Sequence, residues 1–287
     1  MKLTVIISVI GLSLLTGCTE SNQTVDTLET YLDTAIVPNA GVLAEEKETP
    51  PNKDLTDGTY YAQEASYSTS TGYKSFVTVN VLNQEIVDIE FNAIFDNANQ
   101  TLKEASSENT DMTHMPIHEQ LTLMETHLMD QPITNQPTLS PNILEQLTLD
   151  STPFLTTYAQ ALAQEPIPLG EYQDGYYMAE ANDFSNQQKP ILYLTVKNGH
   201  IIAVSWDIQL ENSDQTAKQL IAAGDSTYTH WYEQTLKLEQ YLLEIQDPSL
   251  ITYDEDNVTP VLAEPCSFIH DFVALITDAL AAGPIIK

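Results

Sequence analysis

The chain repeats itself at a domain-sized interval, and that repeat limits what it can fold into. Asp57-Gly58-Thr59-Tyr60-Tyr61-Ala62 matches Asp174-Gly175-Tyr176-Tyr177-Met178-Ala179 at an offset of 117. Gln100-Thr101-Leu102-Lys103 matches Gln215-Thr216-Ala217-Lys218 at 115, and Ala161-Leu162 matches Ala279-Leu280 at 118. Asp130-Gln131-Pro132 resembles Gln246-Asp247-Pro248. Such steady offsets across separated landmarks imply a tandem duplication, since solenoid units are far shorter.

Each copy reads as strands followed by helices. In the second, Leu192, Leu194 and Val196 alternate with Tyr193 and Thr195, Asn198-Gly199 makes a tight turn, and Ile202, Val204 and Trp206 return. In the first, Val77, Val79 and Val81 lead through a turn at Asn83 to Val87, Ile89 and Phe91. Period-two alternation predicts antiparallel hairpins with one face buried. Helical spacing follows at Leu238, Tyr241, Leu242 and Ile245, at Phe268, Phe272, Leu275 and Ala279, and at Phe154, Tyr158 and Leu162. The fold class is therefore α+β, two tandem repeats of sheet packed on helices. Prolines 166 and 168 mark the boundary, which gives repeats over 57–165 and 166–287. Asp57 and Asp174 are expected to cap the turn that opens each repeat.

The N-terminus reads as an export signal. Lys2 is followed by an uncharged stretch, Leu3 to Thr16, too short to span a bilayer as a helix. Leu15-Thr16-Gly17-Cys18 then resembles the bacterial lipobox, which implies a signal peptide over 1–17 and a lipid on Cys18. Residues 18–56 read as a polar tether with a short amphipathic piece near 28–36. The expected location is the outer side of the cell membrane, with membrane lipid as a partner through Cys18. Cys266 is then the one remaining thiol, so no internal disulfide can form.

Charge excludes whole classes of partner. Ten Lys, no Arg and 41 acidic residues give a formal charge of −31. Nothing in that balance neutralises a run of phosphates, so no nucleic acid is expected. The 42% hydrophobic content is nonetheless enough for a packed core.

The order of features resembles a family. An Asp-Gly-x-Tyr opening, a hairpin, a Trp/Tyr-rich helix and a helix ending in Ala-Leu look like the bacterial FMN-binding domain. The chain especially resembles the tandem form on Gram-positive surface lipoproteins used in extracellular electron transfer. The resemblance implies a flavin esterified through its phosphate to a Thr that ends a Ser-Gly-Ala-Thr run, about six residues before the last helix's first buried Phe. Counting back from Phe154 gives Thr148, with Ser151 after it; counting back from Phe272 gives Cys266, with Ser267 after it. These four are the candidate FMN-binding residues. Neither copy keeps the Ser-Gly-Ala run, and Glu145 and Glu264 stand near the acceptor where a phosphate would sit. Cys266 reads first as a small buried hydrophobe near a helix start, with a reactive thiol as the alternative there.

Other groups carry less. His114 and His118 share metal-binding spacing, but Pro116 interrupts the helix between them, and a polar loop followed by an amphipathic helix is the expectation. Tyr60, Tyr61, Tyr176 and Tyr177 suit either a flavin face or a half-buried strand. Trp231 and Tyr232 are expected to pack their helix. The reading is a redox carrier with a membrane redox partner, more than a catalyst. The alternative is a binding or scaffold lipoprotein without flavin. Ile10 to Gly17 also forms a candidate octapeptide pheromone cut from the signal.

Overall fold

A computed structural model describes residues 55–107, 114–134, 136–262 and 264–285. The signal peptide, Cys18, the octapeptide and the tether as far as residue 54 lie outside the described residues; Leu55, read as tether, is buried in the core of the first repeat. Among the described residues, two three-stranded antiparallel sheets and seven α-helices make an α+β fold of two repeats. The first repeat holds β1 (Gly58–Gln63), β2 (Tyr73–Leu82) and β3 (Glu85–Phe95), then α1 (Leu102–Ser107), α2 (Ile117–Met129), α3 (Pro141–Leu144) and α4 (Thr152–Ala163). The second holds β4 (Gly175–Glu180), β5 (Gln188–Lys197) and β6 (His200–Leu210), then α5 (Ala217–Ala222), α6 (Thr229–Ile245) and α7 (Ile269–Ala282). No helix among the described residues is long and apolar enough to cross a membrane.

The strands run in chain order, and each second hairpin carries a bulge, at Asn80/Val81 and at Thr195/Val196. Both residues of each hairpin turn have positive φ, Asn83 and Gln84 in one and Asn198 and Gly199 in the other, which suits the right-handed twist of the strands. Asp57 and Asp174 do not cap the opening turns as expected. Their carboxylates reach across to the hairpin tips and accept the N–H of Gln84 (2.9 Å) and Gly199 (2.8 Å). In the first repeat this bond holds a turn that lacks glycine.

One sheet face carries each repeat's core. Val77, Val79, Ile89 and Phe91 meet Leu121, Met124, Phe154 and Tyr158 from the helices. Leu192, Leu194, Val204 and Trp206 meet Leu238, Leu242, Phe272 and Ile276. The same aromatic pair anchors both, Phe154 edge-on to Phe91 (5.9 Å) and Phe272 on Trp206 (5.5 Å). Each such side chain contributes about 1.5–3 kcal/mol by leaving water.

Among the described residues the outer edges of β3 and β6 are paired only at isolated bridges, Ile94 with Thr101 and Gln209 with Thr216, so their other edge amides need other acceptors. Glu125 on α2 accepts the Phe91 N–H at 2.7 Å, and Glu239 on α6 accepts the Trp206 N–H at 2.6 Å. Each carboxylate is nearly buried and is paired with a lysine, Lys103 at 2.6 Å and Lys218 at 2.7 Å. Here the Gln-Thr-x-Lys landmark finds its reason. The Thr101 and Thr216 amides are capped by Glu104 and Gln219 three residues on, which starts a short helix, and that helix delivers the lysine.

Each repeat closes on its own first strand. Ile167 donates its N–H to Thr59 (2.8 Å), and Ile285 donates to Tyr176 (2.6 Å). The preceding prolines, Pro166 and Pro284, lie over Gly58 and Gly175, where an added Cβ would come within 2.7 Å. Both glycines also have φ near +145°, at +147° and +143°, so a side chain there is strained twice over. Pro166 and Ile167 thus pack on the first strand of the first repeat.

The expectation of a single buried sheet face is corrected by the contact between repeats. Tyr61, Phe76 and Ile94 on the second face of one sheet pack with Ile202 and Ala203 of the other. Thr195 donates to the Ala98 carbonyl at 2.8 Å, Asn198 to the Thr78 hydroxyl at 3.3 Å, and Lys197 pairs with Glu90. Residues that would face water in an isolated repeat are therefore core. Lys74 is drawn into this face, 3% exposed, with its ammonium 5.1 Å from the centre of the Tyr67 ring.

Two predictions follow from these buried charges. Glu239→Ala strands both the Lys218 ammonium and the Trp206 amide, and should cost about 3 kcal/mol in denaturant unfolding. Glu239→Leu combined with Lys218→Met should lose much less than the two single changes added together. Burial pulls the Lys74 amine down to about 8 from its ordinary 10.5. The unfolded chain therefore holds more protons than the folded one above that value, and stability rises with pH from about 8. Below it the cost of the buried charge is fully present. Unfolding measured from pH 7 to 9.5 should show a rise that Lys74→Met abolishes, that variant being more stable at pH 7 by up to about 3 kcal/mol.

Candidate functional site

The residues singled out in the sequence sit at the foot of the last helix in each repeat, and the two feet differ. Thr148 is exposed, on the turn that leads into α4. The buried Gln120 carboxamide grips that turn. Its Oε1 accepts the N–H of Thr148 (2.7 Å) and Leu149 (3.2 Å), and its Nε2 donates to the Thr148 hydroxyl (2.9 Å). The hydroxyl can still donate its own proton outward. Ser151 is half-buried at the N-cap of α4, where its side chain makes no capping bond. Asp150 caps Thr152 instead (2.9 Å), and the Thr152 amide and hydroxyl hold its carboxyl below the usual range.

The second foot is closed. Cys266 has no exposed surface, and its amide donates to the Asn257 carbonyl at 3.0 Å. Burial pushes its thiol up to about 11, against the pull of the Phe268 and Ile269 amides. That is a packed side chain rather than a reactive thiolate. Ser267 is exposed beside it. Phe268, at the position equivalent to Asp150, lies on the Trp206 ring (5.9 Å, 17° between planes) and also contacts Trp231 (6.2 Å). The space beside the helix foot is thereby filled by the chain's own aromatic rings. Trp231 packs here, as expected of it, and meets Tyr228 edge-on.

The remaining candidates fall elsewhere. Tyr60 and Tyr177 point into their own cores and bond the backbone carbonyls of Thr56 and Gln173. Tyr61 and Tyr176 face the other repeat. His118 lies on α2 against the Ser106 hydroxyl (3.2 Å), whereas His114 precedes the helix, which starts after Pro116. Pro116 thus keeps the two histidines off one helix face.

Sequence reasoning missed Gln120 and its counterpart Gln234, whose Nε2 donates to the Pro265 carbonyl at 3.2 Å. Their recurrence at an offset of 114 was the available signal.

No family model matches the chain, and no curated protein matches it. It is 30% identical to a Clostridium thermocellum protein with a solution NMR structure, over 40% of this chain and 95% of that one, at a TM-score of 0.34. It is 17% identical to a Clostridium perfringens protein with a crystal structure, over 38% and 83%, at a TM-score of 0.28.

The difference between the two feet is directly measurable. In a Cys18→Ser background, the native protein at pH 8 should leave Cys266 unreacted by a thiol reagent for hours. The unfolded chain should react at once.

Proposed function

We propose that the protein is a lipid-anchored carrier of electrons on the outer face of the membrane, with a flavin held by the first repeat alone. One observation carries the reading: the Thr148 hydroxyl stands in water on a turn fixed by Gln120, at the foot of a twelve-residue helix. A phosphoester there would lie close to the amides that open α4, whose partial positive charge favours an anion. Glu145 and Asp150 oppose it, but both are exposed, and solvent screens them. The chain's 10 lysines and lack of arginine leave the helix amides as the main source of attraction. Cys18 would anchor the protein by lipid, and a membrane redox partner would exchange electrons with the flavin.

A second reading is favoured by the other foot. Cys266 is buried and Phe268 occupies the adjoining space, so the second repeat supports a binding or scaffold role without flavin.

Intact mass and a visible spectrum of the mature protein from its native host separate the two. The carrier reading expects lipid plus one FMN and flavin colour, both lost in Thr148→Ala and retained in Cys266→Ala. A mass accounted for by lipid alone, with a colourless sample, removes covalent flavin and leaves the binding role.

A further inference from the structure

A cleft of about 330 Å³ lies between the repeats at the outer side of β4, and no charged side chain is among the described residues that line it. Asn99 and Gln100 line it from the first repeat, and Tyr176, Met178, Tyr193 and Ile285 from the second. In a chain with 41 acidic residues, an uncharged wall narrows what can bind there.

The strand pairing sets what each residue offers. Met178 stands opposite Tyr193 in the β4–β5 pair, and Tyr176 lies two residues before Met178, so their three side chains share one face of the sheet. The Tyr176 hydroxyl is bonded to Glu104 and Thr101, which leaves that residue as a wall of ring. Tyr193 offers both ring and hydroxyl, since its hydroxyl has no hydrogen-bond partner among the described residues. Ile285 takes the Tyr176 carbonyl on the open side of β4. Backbone groups two residues apart point the same way, so Met178 turns its N–H and C=O to that side, where no described residue bonds them.

These groups select a ligand class. An ion would lose hydration and find no countercharge in the wall. A purely apolar molecule would cover the Met178 amide and the Tyr193 hydroxyl without bonding them. A saturated sugar ring meets both demands. Its C–H face lies on tyrosine rings, and its rim of hydroxyls both donates and accepts. The Asn99 and Gln100 carboxamides, the Met178 backbone and the Tyr193 hydroxyl supply matching donors and acceptors. The volume is at the small end for ligand sites and suits one ring.

We propose that this cleft between the repeats binds a neutral pyranose unit. The inference does not rest on flavin at Thr148, which is not part of the wall.

Saturation-transfer NMR and calorimetric titration of the full chain with methyl glucoside test it. Methyl glucoside should saturate one site per chain. Glucuronate has the same ring with a carboxylate, and cyclohexylmethanol has the ring face without the ring hydroxyls. Each should bind at least about tenfold more weakly. Tyr193→Phe keeps the ring and should weaken methyl glucoside severalfold, and Tyr193→Ala should abolish saturable binding. Asn99→Ala, on the opposite wall, should also weaken it and serves if the Tyr193→Ala protein fails to fold. Tighter binding of cellotetraose than of methyl glucoside would support the site and mark a glycan chain as the source; equal or weaker binding would support it with a free sugar. Absence of saturable binding by the unaltered chain, equal binding of glucuronate or cyclohexylmethanol, or methyl glucoside affinity unchanged in any of these variants that folds would overturn the proposal.

Discussion

A carboxylate set against the open edge of a small sheet holds each repeat together. A three-stranded sheet has two edges, and unpaired edge amides invite pairing with other chains. Here the β1 and β4 edges receive the returning chain at Ile167 and Ile285, and the β3 and β6 edges receive Glu125 and Glu239. A buried carboxylate requires a cation, so Lys103 and Lys218 must come within reach, and so must the short capped helices that carry them. The helix, the lysine, the glutamate and the strand edge form one dependent set. The chain builds this set twice with only 10 lysines to draw on.

Above that shared frame the repeats have been put to different use. The first ends its last turn with Thr148 and Asp150, both exposed and locally hydrogen-bonded. The second places Cys266 and Phe268 at the same positions, burying Cys266 in the core and laying the half-buried Phe268 against Trp206 and Trp231. The backbone is the same and the chemistry offered to solvent is not.

The parts of the fold that local chemistry dictates were legible in the sequence. The hairpins showed in the alternation of Val77, Val79 and Val81 and in Asn198-Gly199; the last helices showed in the spacing of Phe154, Tyr158 and Leu162. The structural glutamates were not, because Glu125 and Glu239 look like any of 41 acidic residues until a strand edge is set beside them. Nor was the second buried face. Phe76 and Ile94 sit at positions that alternation assigns to solvent, whereas alternation sets Ile202 on the core face with Val204 and Trp206; the bulge at Thr195/Val196 puts Ile201 there instead and turns Ile202 to the partner repeat. At the candidate site, counting from a helical Phe located Thr148 and Cys266. Their opposite exposure arose from long-range packing, by Gln120 in one case and by the aromatic stack in the other.

The return of each repeat to its own first strand has a geometric consequence. Gly58 and Pro166 touch, as do Gly175 and Pro284, so the entrance and exit of a repeat stand side by side. A unit of this kind can be joined head to tail to another copy, or spliced into a loop, without rerouting the chain through either core. The segment from Pro168 to Gln173 is all the connection the present pair uses. Joining the two ends of one repeat and opening it elsewhere would leave both sheet edges covered as they are now.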